Sequence, residues 1–307
     1  MRRIATIAAA LTVLLVGLAT PSSATDQLPV PYQFIPSALF GGMPDADAPG
    51  TNDWTCRPSA EHPRPVVLVH GTGGNRSTNW QTYGPLLHNN GYCVFSLTYG
   101  VTPGSPYPIS AIGGLTSIRS SAAELGAFVD KVLAATGARQ VDLVGHSQGT
   151  LMPDYWLKFL GGAGKVGSYI SLAPLWHGTA LGDIRPLFML AFGPDVPEYT
   201  VPFCEACGEM SASSSFMAQM RAGGVAVPGV NYVNIMSRYD ELVSPYTSGS
   251  EPGMTNIVLQ DRCPLDFTEH FEIAADRNAT LLVLNALDPT HPRPLNCTLV
   301  LPFVGGL

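Results

Sequence analysis

Short, almost wholly apolar runs recur along the chain, separated by stretches in which apolar residues return every three or four positions. Val66-Val67-Leu68-Val69 and Cys93-Val94-Phe95-Ser96-Leu97 are of the first kind, as expected of strands buried on both faces. Ile118, Ala122, Leu125, Val129, Val132 and Leu133 are of the second kind and predict a helix, with Gly137 standing where it would stop. Val141 to Val144, Tyr169 to Leu172, Tyr232 to Ile235 and Ile257 to Leu259 supply further strands, and Leu281 to Leu287 a closing helix. Strands and helices that alternate in this way predict an α/β fold, a mostly parallel central sheet with helices on both faces.

Three stretches depart from the pattern. Asp26 to Pro65 is rich in Pro, Gly and Asp without a sustained period and reads as an irregular arm over the core. Residues 176–229 interrupt the alternation with an apolar knot at Leu187, Phe188, Met189, Leu190 and Phe192, an insertion that acts as a lid or is ordinary packing. The chain opens with Met1-Arg2-Arg3, an apolar run from Ile4 to Ala19, then Pro21-Ser22-Ser23-Ala24. These are the parts of a secretory leader, with cleavage expected after Ala24 and one domain in residues 25–307. The apolar run is shorter than the ~20 residues a membrane span needs, so no permanent anchor is expected.

Without Arg2 and Arg3 the balance is 14 basic against 23 acidic residues, which excludes nucleic acid as a partner. Charged residues are 13% of the chain where ~25% is usual, a composition compatible with work at an oil–water interface. Nothing in the sequence identifies a protein partner. Six cysteines in an exported chain favour disulfides, and six allow 15 pairings. Cys56 precedes the first strong strand and Cys93 opens the next, Cys263 and Cys297 bracket the last helix, and Cys204 and Cys207 form a local pair. No second ligand pair at metal spacing accompanies Cys204 and Cys207, so no metal is assigned there.

Candidate chemistry centres on Gly145-His146-Ser147-Gln148-Gly149, which follows a strand and precedes a helix. A sharp strand-to-helix turn exposes one serine hydroxyl above the carboxyl edge of a sheet, and the glycines avoid collisions with neighbouring backbone. Ser147 is therefore the candidate nucleophile for acyl transfer. His70-Gly71-Thr72-Gly73-Gly74 follows the first central strand, where the N–H of Thr72 and that of Gln148 are candidate oxyanion donors. A serine nucleophile needs a histidine base and a carboxylate to orient it, in the order serine, acid, histidine. Asp240 stands at a turn after a strand, although Asp195, Asp261 and Asp266 also fall in the window. Of the later histidines, His270 follows the last strand and its turn, whereas His291 lies among prolines beyond the final helix. His146 and His70 read as packing residues and His177 as a satisfied structural one; Asn278-Ala279-Thr280 and Asn296-Cys297-Thr298 match glycosylation acceptors, discounted because the leader is bacterial in style.

Val66 to Asn75, Asn79-Trp80, Gly91-Tyr92-Cys93, Gly145 to Gly149, Ser237-Arg238-Tyr239-Asp240-Glu241 with Val243 and Pro245, and His270 together resemble the secreted class 2 triacylglycerol lipases of actinobacteria. They are more distantly similar to lipase B of Candida antarctica, which has Trp where this chain has His146. The resemblance runs from about Cys56 to Cys297. It implies an α/β-hydrolase fold, an esterase that uses no metal or other cofactor, and a lipid or ester substrate. It implies Ser147, Asp240 and His270 as a triad, Thr72 and Gln148 as oxyanion donors, and bridges 56 to 93 and 263 to 297. Leu187 and Leu190 of the apolar knot are then candidates for the acyl-binding wall. A polyester or cutin hydrolase, an acyltransferase, and a catalytically silent binding protein on the same scaffold are the rival readings.

Overall fold

The computed structural model describes residues 27–40, 43, 46–180 and 204–306. Its helices are α1 (Phe34–Phe40), α2 (Tyr83–Asn89), α3 (Ile118–Thr136), α4 (Gln148–Phe159), α5 (Glu205–Glu209), α6 (Ser215–Arg221), α7 (Leu259–Arg262) and α8 (Arg277–Leu287). The apolar runs form β1 (Val66–Val69), β2 (Val94–Ser96), β3 (Val141–His146), β4 (Val166–Leu172), β5 (Asn231–Met236) and β6 (Thr255–Val258). These six strands make one sheet in the order β2-β1-β3-β4-β5-β6, parallel at every pairing. A two-residue ribbon of β7 (Val300–Leu301) and β8 (Gly305–Gly306) follows α8.

The period of two along each strand divides the core. Val67, Val69, Phe95, Leu143 and Tyr169 join Leu125, Val129 and Val132 of α3 and Leu151 and Trp156 of α4. Val66, Leu68, Val94, Val144 and Ile170 pack with Tyr83 and Leu87 of α2 and Val283 and Leu284 of α8. Large apolar side chains buried in this way each stabilise the fold by about 1.5–3 kcal/mol, which is why the central strands read as continuous apolar runs.

Local signals fix the helix ends. Ser117 caps α3 by accepting the N–H of Arg119, and Gly137 ends it at φ 74°, as its position in the sequence predicts. Helix α8 begins four residues before the expected Leu281, because Asp276 accepts the N–H of Ala279 and starts the helix ahead of its apolar stripe. Arm residues 34–40, read as irregular, form α1. Disulfides join Cys56 to Cys93, Cys204 to Cys207 and Cys263 to Cys297. The first and last close loops with sequence separations of 37 and 34, each stabilising by about 3–4 kcal/mol in the chain-entropy picture. Among the described residues, no helix is long and apolar enough to cross a membrane.

β1 is flanked by β2 on one side and β3 on the other, so the chains leaving β1 and β3 diverge at their carboxyl ends. Such a switch point opens a crevice above the sheet edge.

Candidate active site

Ser147 joins β3 to α4 at this crevice. Its φ of 54° and ψ of −124° lie where a side chain costs about 1–3 kcal/mol, and its N–H is held by the carbonyl of Leu172 at 3.0 Å. The flanking glycines are required by close approach. A Cβ on Gly145 would sit 2.1 Å from the carbonyl oxygen of Gly149, and one on Gly149 would sit 2.0 Å from that of Val69. The turn can form only while both positions lack side chains.

The loop after β6 and α7 brings His270 over this turn, with its Nε2 2.9 Å from Ser147 Oγ. Its Nδ1 lies 2.9 Å from both carboxylate oxygens of Asp240. Both side chains are almost fully buried. Asp240 Oδ1 also accepts the N–H groups of Leu242 at 3.0 Å and Val243 at 2.7 Å. Because a carboxylate has no proton to donate, Nδ1 of His270 carries the hydrogen, leaving Nε2 as the acceptor toward serine. Glu241 adds a second hold on this loop by accepting the N–H of His270 at 3.2 Å.

His70-Gly71-Thr72 leaves β1 beside Ser147. His70 is buried, stacked on Tyr99 at 4.2 Å, donates from Nδ1 to the carbonyl of Gly71 and accepts the N–H of Tyr99 at Nε2. Burial pushes its pKa down to about 4, so the ring is a neutral spacer. Gly73 and Gly113 exchange contacts across the turn, with the Gly73 N–H on the Gly113 carbonyl and the Gly113 N–H on the Gly74 carbonyl, each at 2.9 Å. Thr72 Oγ1 donates to the side-chain oxygen of Gln148 at 2.9 Å, tying the turn to the start of α4. The N–H groups of Thr72 and Gln148 make no hydrogen bond among the described residues. That of Gln148 also stands at the positive end of α4.

These groups open into a cavity of about 620 Å³ lined mostly by apolar side chains. Phe34, Leu175, Met210, Leu242, Val243 and Phe271 contribute to its walls, with Ser147 and His270 at the floor. Leu187 and Leu190, and with them the candidate acid Asp195, lie outside the described residues. The other candidates fall elsewhere: Asp261 pairs with Arg238 at 2.5 Å on the surface, and Asp266 accepts from Asn278 at 2.9 Å beneath the loop. His291 is exposed beside Asp288, and His177 pairs with Glu251 at 2.9 Å.

Two contributions were not apparent from the sequence. His146 is wholly buried, and its Nε2 donates to the carbonyl of His270 at 2.8 Å, joining the residue before the serine to the loop that carries His270. Burial, reinforced by neighbouring His270, pushes its pKa down to about 3. Gly113 and Gly114 are the other: a Cβ at 113 would lie 2.7 Å from His70 and one at 114 would lie 2.6 Å from the Gln148 side chain. The Gly-Gly doublet was the available signal for that close approach.

The family model described as Lipase (class 2) matches residues 63–283. The structure is similar to that of Aspergillus fumigatus lipase B, with a TM-score of 0.60 at 19% identity, over 81% of this chain and 56% of that one. It is similar to the mature form of a Bacillus licheniformis lipase, with a TM-score of 0.54 at 17% identity, over 75% of this chain and 94% of the other. A putative non-heme bromoperoxidase of Mycobacterium tuberculosis shares the architecture at TM-score 0.52 and 12% identity, over 74% and 93% of the two chains.

Proposed function

Because the chain belongs to the class 2 lipase family and has the α/β-hydrolase fold, we propose that it is an exported serine hydrolase that cleaves acylglycerols through an acyl-enzyme on Ser147. The observation that carries this reading is the hydrogen-bonded series Ser147, His270, Asp240, whose first two members line a largely apolar cavity. His270 Nε2 takes the serine proton as Oγ attacks the ester carbonyl, while Asp240 holds Nδ1–H and stabilises the imidazolium that forms. The carbonyl oxygen, now negative, lies against the N–H groups of Thr72 and Gln148, each such donor lowering the barrier by roughly 3 kcal/mol. His270 then passes its proton to the departing alcohol. Water, activated by the same histidine, releases the acid.

A cavity of this size lies within the ~300–1,000 Å³ range of small-molecule sites, and its apolar walls suit a fatty chain better than a polar substituent. Export through the leader in residues 1–24 belongs to the same reading and is supported by the three disulfides. The test is hydrolysis of emulsified triacylglycerol and p-nitrophenyl butyrate by the wild type and Ser147→Ala. Release of fatty acid by the wild type alone is expected. A wild type inert on both substrates, or a variant as active as the wild type, overturns the reading.

A further inference from the structure

Helix α1 lies outside the family match, yet it supplies one wall of the cavity. Phe34 and Ala38, four residues apart and so on one side of the helix, line it, and Leu39 touches its rim. The helix is held in place by several contacts. The Phe34 N–H donates to the buried carboxyl of Glu272 at 2.9 Å, Thr82 Oγ1 donates to the Pro31 carbonyl at 2.6 Å, and the Arg277 guanidinium lies 4.3 Å over the Tyr32 ring.

Aromatic contacts identify the side of the site to which α1 belongs. The Phe34 ring packs against Phe271 at 6.0 Å and against His146 at 6.2 Å. The Phe271 ring stands edge-on to His270 at 5.6 Å. The Cys207, Met210 and Val243 wall comes instead from the segment after residue 203 and the acid's loop.

The two sides of an ester are distinguished by the proton. When the tetrahedral intermediate collapses, the bond from carbon to the alcohol oxygen breaks, its electron pair stays on that oxygen, and the oxygen takes the proton from His270 Nε2. The acyl group remains bonded to Ser147 Oγ. The leaving alcohol must therefore lie on the histidine side.

We infer that α1 is the wall against which the leaving alcohol binds, and that Ala38 sets how bulky that alcohol can be. This rests on the ester-hydrolase reading. The small side chain at 38 keeps this wall from narrowing the space beside His270, and the exposed Leu39, with 67% of its surface accessible, offers apolar contact at the lip.

Two ester series separate the sides of the substrate: butyrates of methanol and octanol, and methyl esters of butyrate and octanoate. In Ala38→Trp the octyl-to-methyl ratio of kcat/KM should fall at least tenfold, while the octanoate-to-butyrate ratio stays within twofold of wild type. Leu39→Ser, at an exposed position, should lower the same alcohol ratio, so the test survives if the tryptophan variant does not fold. A shift confined to the acyl ratio, or no shift in either, overturns the inference. A wild type that cleaves none of the esters overturns the hydrolase reading instead.

Discussion

Asp240→Asn is the most informative single change, because the surroundings of the carboxylate dictate how the amide must sit. Oδ1 accepts two backbone N–H groups, from Leu242 and Val243, so the amide oxygen has to stay there and its NH₂ takes the place of Oδ2. Nδ1 of His270 lies 2.9 Å from both positions, so its hydrogen then meets an amide donor beside the one remaining acceptor, and the ring's hydrogen is driven toward Nε2. A protonated Nε2 cannot take the proton of Ser147. The expected loss in kcat is about 10⁴, or roughly 5.5 kcal/mol of transition-state stabilisation, as for the same tautomer reversal in a serine protease triad. Both backbone bonds survive, so the melting temperature should move little. Asp240→Ala leaves two N–H groups unpaired and should cost about 1–3 kcal/mol of stability as well. Turnover of p-nitrophenyl butyrate, read beside thermal melts of both variants, is the assay. A folded Asp240→Asn enzyme retaining more than a tenth of wild-type kcat would refute the tautomer argument.

Stability should fall as pH rises from 7 to 9. Burial pushes the pKa of Asp276 and of Glu272 up to about 8 each, with nearby Asp266 and Glu269 adding repulsion, so the folded chain keeps protons that the unfolded chain releases near pH 4. That contribution is fully present below about pH 4 and is lost as pH climbs through about 8; buried neutral His70 and His146 pull the other way below about pH 6.5, so thermal melts from pH 7 to 9 should decline, and Asp276→Asn, which keeps the helix cap, should flatten the decline. A melting temperature that rises over this window contradicts the assignment. Gly149→Ala forces a Cβ to within 2.0 Å of the Val69 carbonyl and should cost at least about 1–3 kcal/mol along with most of the activity, whereas Gly164→Ala meets nothing within 4 Å and should be silent in denaturant melts. Equal midpoints for the two variants would show that the elbow is not tightly packed.

The features legible in the sequence were those encoded locally. The elbow could be read because five consecutive residues carry it, and β1 and β3 because strands buried on both faces are apolar throughout. Asp240 was one of several aspartates in the right order, since the direction in which the turn after β5 projects a carboxylate is a property of the whole sheet edge. Helices α1 and α2 span seven residues each and α5 five, too short to display a period and stable only through tertiary contacts. The hydrogen bond from His146 to the His270 carbonyl joins residues separated by 124 positions, which no local pattern records.

The central claim is that Ser147 is made nucleophilic by His270, and covalent capture tests it most directly. Incubating the protein with a fluorophosphonate and mapping the adduct by peptide mass spectrometry should place a single phosphonyl group on Ser147. Labelling should be lost in Ser147→Ala and strongly slowed in a folded His270→Ala variant. An unlabelled wild type, an adduct on another residue, or undiminished labelling without His270 would contradict the account.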